Sequence, residues 1–167
     1  VRYPLFLELR DLPVVVVGGG QVASRKIGTL LKAGASVTVI SPAMSKRFAK
    51  VRWVRRGYRR GDLRGARLVV AATNDVAVNE RVCAEAKRRG LLVNCIAPPA
   101  AGNFIVPALV RRGGITLAIS TGGASPAFAK QLRGDLERFL GRTYPALLKQ
   151  MAKDRRVRLT RLTDDDG

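Results

Sequence analysis

An open α/β fold built on a parallel sheet is what this 167-residue sequence predicts, and three observations predict it. Val14 to Val17 are four consecutive valines, a run without a polar face, as in a strand covered on both sides. Gly18-Gly19-Gly20 follows at once and opens an amphipathic helix on which Val22, Ile27, Leu30 and Leu31 share a face and Gly34 supplies the stop. Apolar strands and helical stripes then alternate as far as Ile96, the rhythm of a doubly covered sheet with ligands at the carboxyl ends of its strands.

In chain order, Pro4 to Leu9 reads as a strand and Arg10-Asp11-Leu12 as a turn, before the valine strand. Val37 to Ile40 completes the first strand-helix-strand unit, and short strands follow at Val51 to Val54 and Leu68 to Ala72. Asp75 starts a helix carrying Val78, Val82 and Ala86 at spacing four, and Leu91 to Ile96 is the next strand. The pattern then changes. Phe104 to Val110, Arg111-Arg112-Gly113-Gly114 and Ile115 to Ser120 read as an antiparallel hairpin. Ser125 is an N-cap with Pro126 at the first helical position, and Phe128, Leu132, Leu136 and Phe139 fall on one stripe. A last helix begins near Pro145, and the acidic Thr163 to Gly167 end is expected to fray. The expected domains are therefore a Rossmann-type unit over 1–112, a hairpin-plus-helix unit over 113–142 and a short helical tail over 143–167. The middle unit cannot bury its apolar faces alone, and a second subunit would cover them.

Composition narrows the chemistry. A chain of this length buries about 70% of the surface its unfolded form exposes and needs no disulfide or metal staple. Cys83 and Cys95 form no CxxC pair, so a reduced, cytoplasmic setting and no zinc site are expected. The opening Val-Arg-Tyr-Pro has no signal-peptide pattern, and no apolar run approaches the ~20 residues that span a bilayer, so no membrane is expected either. Histidine is absent, which excludes a Ser-His-Asp triad, imidazole metal ligands and a histidine base. Thirty-one Lys+Arg against 12 Asp+Glu give +19, a field that attracts anionic partners. Arg52, Arg55, Arg56, Arg59, Arg60, Arg64 and Arg67 crowd one stretch, but only Trp53 and Tyr58 interleave them, a poor base-stacking platform. No nucleic-acid partner is expected; a solvated basic surface or a small polyanionic substrate accounts for the charge.

Three constellations carry chemistry. Gly18-x-Gly20-x-x-Ala23, directly after a buried strand and opening a helix, fits the dinucleotide fingerprint: Gly18 for the tight turn, Gly20 for approach of the pyrophosphate, with Gln21 and Val22 amides aimed from the helix start. The acidic residue expected about twenty positions on is missing, because the second strand ends Ile40-Ser41-Pro42, so NAD and NADP both remain admissible, with Lys46 and Arg47 near enough to meet a 2′-phosphate or simply solvated. Ser120-Thr121-Gly122-Gly123-Ala124-Ser125-Pro126 sets hydroxyls and flexible backbone before a helix start, as an anion cradle or a plain turn and cap. Ala71-Ala72-Thr73-Asn74-Asp75 stands at a strand end where the nicotinamide half would lie, unless Thr73 and Asn74 only prepare the cap of the next helix.

Tyr3-Pro4-Leu5-Phe6, Val17-Gly18-Gly19-Gly20-x-Val22-Ala23-x-Arg25-Lys26, Ala71 to Asp75, Val93-Asn94, Asn103-Phe104-Ile105-x-Pro107 and Ser120 to Pro126 together closely resemble precorrin-2 dehydrogenase, found alone or as the amino-terminal part of siroheme synthase. The resemblance runs in order over about residues 3 to 140 and implies an NAD-dependent oxidation of precorrin-2 to sirohydrochlorin in a homodimer joined through the hairpin and helix. It implies dinucleotide contacts at Gly18, Gly19, Gly20, Gln21, Val22, Ser41, Pro42, Ala43, Thr73 and Asn74. It implies substrate contacts at Asn94, Asn103, Ser120, Thr121, Gly122, Gly123 and Ser125. A polycarboxylate substrate agrees with the basic charge. The family also commonly carries, three residues after Asn94, an aspartate implicated in proton removal and metal insertion; here that position is Ala97. The catalytic residue is thus unassigned, weak or absent ferrochelatase activity is expected, and a tetrapyrrole- or dinucleotide-binding protein impaired in catalysis is the alternative.

Overall fold

The computed structural model describes residues 2–164, with side chains through residue 155. It falls into two compact units, one over Tyr3–Val106 and a second that contains everything described from Pro107 onward.

The first unit is a five-stranded parallel sheet in the order β3-β2-β1-β4-β5, from β1 (Pro13–Val17), β2 (Ser36–Ile40), β3 (Val51–Val54), β4 (Leu68–Ala71) and β5 (Leu92–Cys95). α1 (Gln21–Lys32) connects β1 to β2 and α2 (Val76–Arg88) connects β4 to β5. The valine run explains the layering, since successive side chains of a strand point to opposite faces. Val14 and Val16 join Ala23 and Ile27 of α1 in one core, while Val15 and Val17 join Val82, Cys83 and Ala86 of α2 in the other. Burial of each such valine contributes about 1.5–3 kcal/mol. Strand order reverses between β1 and β4, so the crevice beyond their carboxyl ends is where an open sheet of this kind takes a ligand.

Pro4 to Leu9, expected as a strand, forms none. Tyr3, Leu5, Phe6 and Leu7 are exposed and only Leu9 packs against the α1-side core. The apolar pattern is that of a strand, but Pro4 has no N–H to give a ladder, and no strand of the sheet pairs with the segment.

In the second unit β6 (Ala108–Arg112) and β7 (Ile115–Ile119) form the expected hairpin, with Arg112 opposite Ile115 across Gly113-Gly114. Both hairpin strands lie in this unit, which begins at Pro107. α3 (Pro126–Leu140) packs on β6, and α4 (Thr143–Asp164) follows after Gly141. α4 accommodates Pro145 in its first turn, where the missing N–H has no partner to lose. Of the α3 stripe, Leu132 and Leu136 are half-buried, whereas Phe128 and Phe139 are exposed, Phe139 at 67%. The fraying expected for Thr163 to Gly167 lies, for its last three residues, outside the described residues. No helix among the described residues is long and apolar enough to cross a membrane.

Candidate functional site: the carboxyl edge of the parallel sheet

The glycine turn after β1 is shaped by two close approaches. Gly18 has φ +118, and a Cβ added there would lie 2.3 Å from the Ala72 carbonyl oxygen just beyond β4. On Gly19 it would lie 2.0 Å from the Ala43 carbonyl oxygen and 2.8 Å from Ser41 Oγ, just beyond β2. The Gly18 N–H donates to Ile40 O (2.9 Å), and the Ser45 N–H donates to Gly19 O (2.8 Å). Three strand ends are thereby drawn together. Gly20, by contrast, is exposed and extended, and a Cβ there would meet nothing within 4 Å. It caps α1 without any side-chain hydrogen bond, and the first turn holds no acidic residue. The N–H groups of Gln21, Val22 and Ala23 thus have no intrahelical or side-chain acceptor, an arrangement that suits phosphate oxygens. Ala23 is fully buried, which lets the helix lie close on the sheet.

At the end of β2, Ser41 is buried, its Oγ donates to Ala43 O (2.7 Å), and Trp53 Nε1 donates to Ser41 O (2.9 Å). Pro42 and Ala43 are exposed beside it. Arg55 lies 4.7 Å and Arg47 5.9 Å from the Trp53 ring centroid, and Lys46 lies 5.6 Å from that of Phe48. Lys46 does not join Arg47 on Trp53.

At the end of β4, Asp75 caps α2 by accepting from Val78 N (3.1 Å), as its position before the helix suggests. Asn74 is exposed. Thr73 is held inward: its N–H and hydroxyl both donate to Asn79 Oδ1, at 3.0 and 2.8 Å.

At the end of β5, Asn94 is buried; its Nδ2 donates to Phe104 O (3.2 Å), and its Oδ1 has no partner. A buried acceptor left unpaired costs about 1–3 kcal/mol, so this atom fits a ligand N–H. The open start of α1 together with this orphaned acceptor on the same sheet edge fits a dinucleotide. Ala97 is half-buried and offers no titratable group. Asn103, expected as a substrate contact, is bonded to β5 instead: Oδ1 accepts from Val93 N (2.7 Å) and Nδ2 donates to Leu91 O (2.9 Å). It completes the hydrogen bonds of the sheet's outer strand.

The remaining sequence-predicted residues lie in the second unit. Ser125 caps α3, accepting from Phe128 N (3.1 Å), and the Thr121 hydroxyl exchanges bonds with Ser125 N and O, each 3.3 Å. Gly122 N donates to Ser120 Oγ (3.2 Å), and Gly122 and Gly123 both have positive φ. The hydroxyls shape this loop from within.

Two buried polar residues of α2 escaped the sequence reading. Asn79 is one; Glu85 is the other. Glu85 accepts from the Tyr58 hydroxyl (2.5 Å), Gly61 N (3.1 Å) and Arg89 Nε (2.9 Å). Burial alone would raise its pKa, but the Tyr58 and Gly61 donors and the Arg89 charge outweigh it and hold the carboxylate below its usual range. Arg56 grips Asp62 with two 2.7 Å bonds, so this arginine belongs to the loop's own structure, while Arg52, Arg55, Arg59, Arg60, Arg64 and Arg67 are exposed. The signal for both was a polar residue on the apolar stripe of a helix. Among the described residues no group of three or more His, Cys, Asp or Glu side chains could hold a metal.

Comparison with known proteins agrees with this geometry. Residues 5–108 match the family model described as putative NAD(P)-binding, and residues 112–138 match the central region of sirohaem biosynthesis proteins. The chain is 43% identical over 150 residues to a siroheme synthase of Methylobacillus flagellatus, covering 86% of this chain and 32% of that protein. It is 42% identical over 162 residues to a siroheme synthase of Methylococcus capsulatus, covering 93% of this chain and 34% of that protein. The chain thus spans about a third of the length of these relatives. Among solved structures, SirC, a precorrin-2 dehydrogenase, superposes with a TM-score of 0.81 at 35% identity, covering 91% of this chain and 78% of that one. With an NAD(P)-binding parallel sheet followed by the sirohaem-type hairpin and helix, the chain belongs to the family of precorrin-2 dehydrogenases and siroheme synthase amino-terminal regions.

Proposed function

We propose that this chain oxidises precorrin-2 to sirohydrochlorin, with NAD as hydride acceptor, in the cytoplasm. The observation that carries the reading is the uncapped start of α1 behind Gly18-Gly19-Gly20, facing the same sheet edge as the orphaned Oδ1 of Asn94, in a chain similar to SirC along most of SirC's length. When bound, a dinucleotide would supply the acceptor for a hydride from the tetrapyrrole, with the accompanying proton leaving to solvent. The chain's own part is to bind and orient. The α1 amides hold the pyrophosphate. Ser41 to Ala43 line the adenosine side, and Thr73 and Asn74 line the nicotinamide side. Asn94 Oδ1 accepts an N–H of the cofactor or the tetrapyrrole, and this role falls to Asn94 rather than to Asn103. Ser120 to Ser125 hold substrate carboxylates, steered in by the +19 charge. Hydride transfer gains mainly from proximity and orientation, and the accompanying proton can pass to water.

Metal insertion differs, because two pyrrole protons must be removed. Ala97 supplies no acceptor, and we assign the chain weak or no ferrochelatase activity. The exposed Phe128 and Phe139 of α3 support a homodimer joined through the second unit. The test is anaerobic incubation with precorrin-2 generated in situ, supplying NAD or NADP and following the sirohydrochlorin spectrum, then adding Fe²⁺ or Co²⁺. Sirohydrochlorin formation with metal insertion no faster than the uncatalysed rate is expected. Tight tetrapyrrole binding without oxidation would favour the binding-protein reading, to which Ala97 lends its support.

A further inference from the structure

We infer that Asn79 is a positioning residue for this reaction: its buried amide ties the chain leaving β4 to the chain leaving β5 and so sets the cofactor-facing Thr73 loop against the Ala97 loop. The inference rests on the dehydrogenase reading for its consequence, though not for its geometry. Asn79 is fully buried on the sheet side of α2. Its Oδ1 accepts from Thr73 N (3.0 Å) and from Thr73 Oγ1 (2.8 Å). Its Nδ2 donates to Thr73 O (3.1 Å) and to Ala97 O (3.0 Å). The amide can adopt only this orientation, because a backbone N–H must find an acceptor and two backbone carbonyls must find donors.

The partners make this more than a satisfied core asparagine. The last rung between the two strands is Ile96 N–H to Ala71 O (2.9 Å); past it the chains separate toward Thr73 and Ala97, and one asparagine bridges them. Thr73 is secured further, since its hydroxyl also faces Asp75 O at 2.9 Å and accepts from Asp75 N at 3.2 Å. Past the Ile96–Ala71 rung, the Ala97 carbonyl is tied to the Thr73 segment through Asn79 Nδ2. No other amino acid of that length presents an acceptor and a two-pronged donor together. A displacement of about 1 Å between groups flanking reacting partners can cost about 100-fold in rate.

The test compares Asn79→Ala with Val82→Ala, a truncation of a fully buried residue on the same helix that packs in the apolar core. Melting temperature, NAD affinity, and kcat and KM for precorrin-2 are measured for both and for the unmodified chain. Asn79→Ala is expected to lose kcat by about tenfold to 100-fold with a smaller change in KM, and to weaken NAD binding. Val82→Ala should lose melting temperature while keeping kcat and NAD affinity. If the alanine variant does not fold, Asn79→Asp keeps the acceptor facing Thr73, gives up the donor facing Ala97, and should show the same fall in kcat. Asn79 variants that melt earlier but retain kcat and NAD affinity would overturn the inference. An unmodified chain that binds NAD but does not turn over would instead overturn the proposed reaction, and NAD affinity in Asn79→Ala would still decide the role of Asn79.

Discussion

Gly18 and Ala72 touch across the mouth of the sheet: a methyl group on Gly18 would sit 2.3 Å from the Ala72 carbonyl oxygen, whereas one on Gly20 would meet nothing within 4 Å. Two glycines of one turn therefore serve different ends. Gly18 lets the strand ends close up, and Gly20 leaves the start of α1 open.

Gly18→Ala is accordingly expected to destabilise the fold by about 2–4 kcal/mol, from an unfavourable φ and a backbone clash together. Gly20→Ala should cost about 1 kcal/mol or less as a poorer helix cap, yet weaken NAD binding by at least about tenfold by crowding the pyrophosphate. Thermal melts and dinucleotide titrations of the two variants check the contrast.

The double-sided sheet was legible because four valines in succession admit little else, and the glycine turn because glycines at that spacing suit a tight strand-to-helix bend. The Pro4 to Leu9 segment departs from the expected strand for a physical reason: an apolar run does not tell whether a neighbouring strand exists to pair with it. Asn79 and Glu85 were passed over because Val78, Val82 and Ala86 define a helical stripe by themselves, and a polar residue among them reads as solvent-facing. Asn79, Val82, Cys83 and Ala86 stand at i, i+3, i+4 and i+7 and are all buried, so the amide on that stripe was a visible sign of a buried tie. Asn103, expected as a substrate contact, has its amide bonded to the backbone at Val93 N and Leu91 O.

Glu85 makes stability pH-dependent with a definite sign. Its folded pKa is depressed, so its contribution is complete above the ordinary glutamate pKa of about 4.3 and is lost as pH falls through the lower folded value. Asp62, lowered chiefly by its hydrogen bonds from Arg56, adds in the same direction. Glu85→Gln is expected to cost about 2 kcal/mol at neutral pH and to flatten the acid limb of a stability profile measured by denaturant unfolding. An unchanged acid limb would contradict this origin.

Cys83 and Cys95 should be inert in the native protein. Burial pushes the Cys83 thiol up to about 12, with the hydrogen bond to Cys95 adding to it, so almost no Cys83 thiolate exists near neutrality, and Cys95 is shielded by its own burial. A thiol-reactive dye is expected to label neither residue in buffer and both in denaturant; rapid native labelling would show the α2-side core to be open.

Phe139 tests the partner of the second unit. It is exposed, its ring centroid 5.3 Å from that of Tyr144. Sedimentation of the unmodified chain should report a dimer, and Phe139→Glu should shift it toward monomer, with little effect on NAD affinity if the glycine turn of the first unit holds the dinucleotide as proposed. A monomer in the unmodified chain would contradict the proposed assembly.

Oxidation of a tetrapyrrole by a dinucleotide held at the carboxyl edge of the sheet is the proposed reaction. Its most direct test records nicotinamide reduction and sirohydrochlorin formation together under anaerobic conditions, for the unmodified chain and for Gly20→Ala. The two signals are expected to rise in equal molar amounts with the unmodified chain and to fall together in the variant. Sirohydrochlorin formed without matching nicotinamide reduction, or no turnover at all from a folded chain that binds both ligands, would contradict it.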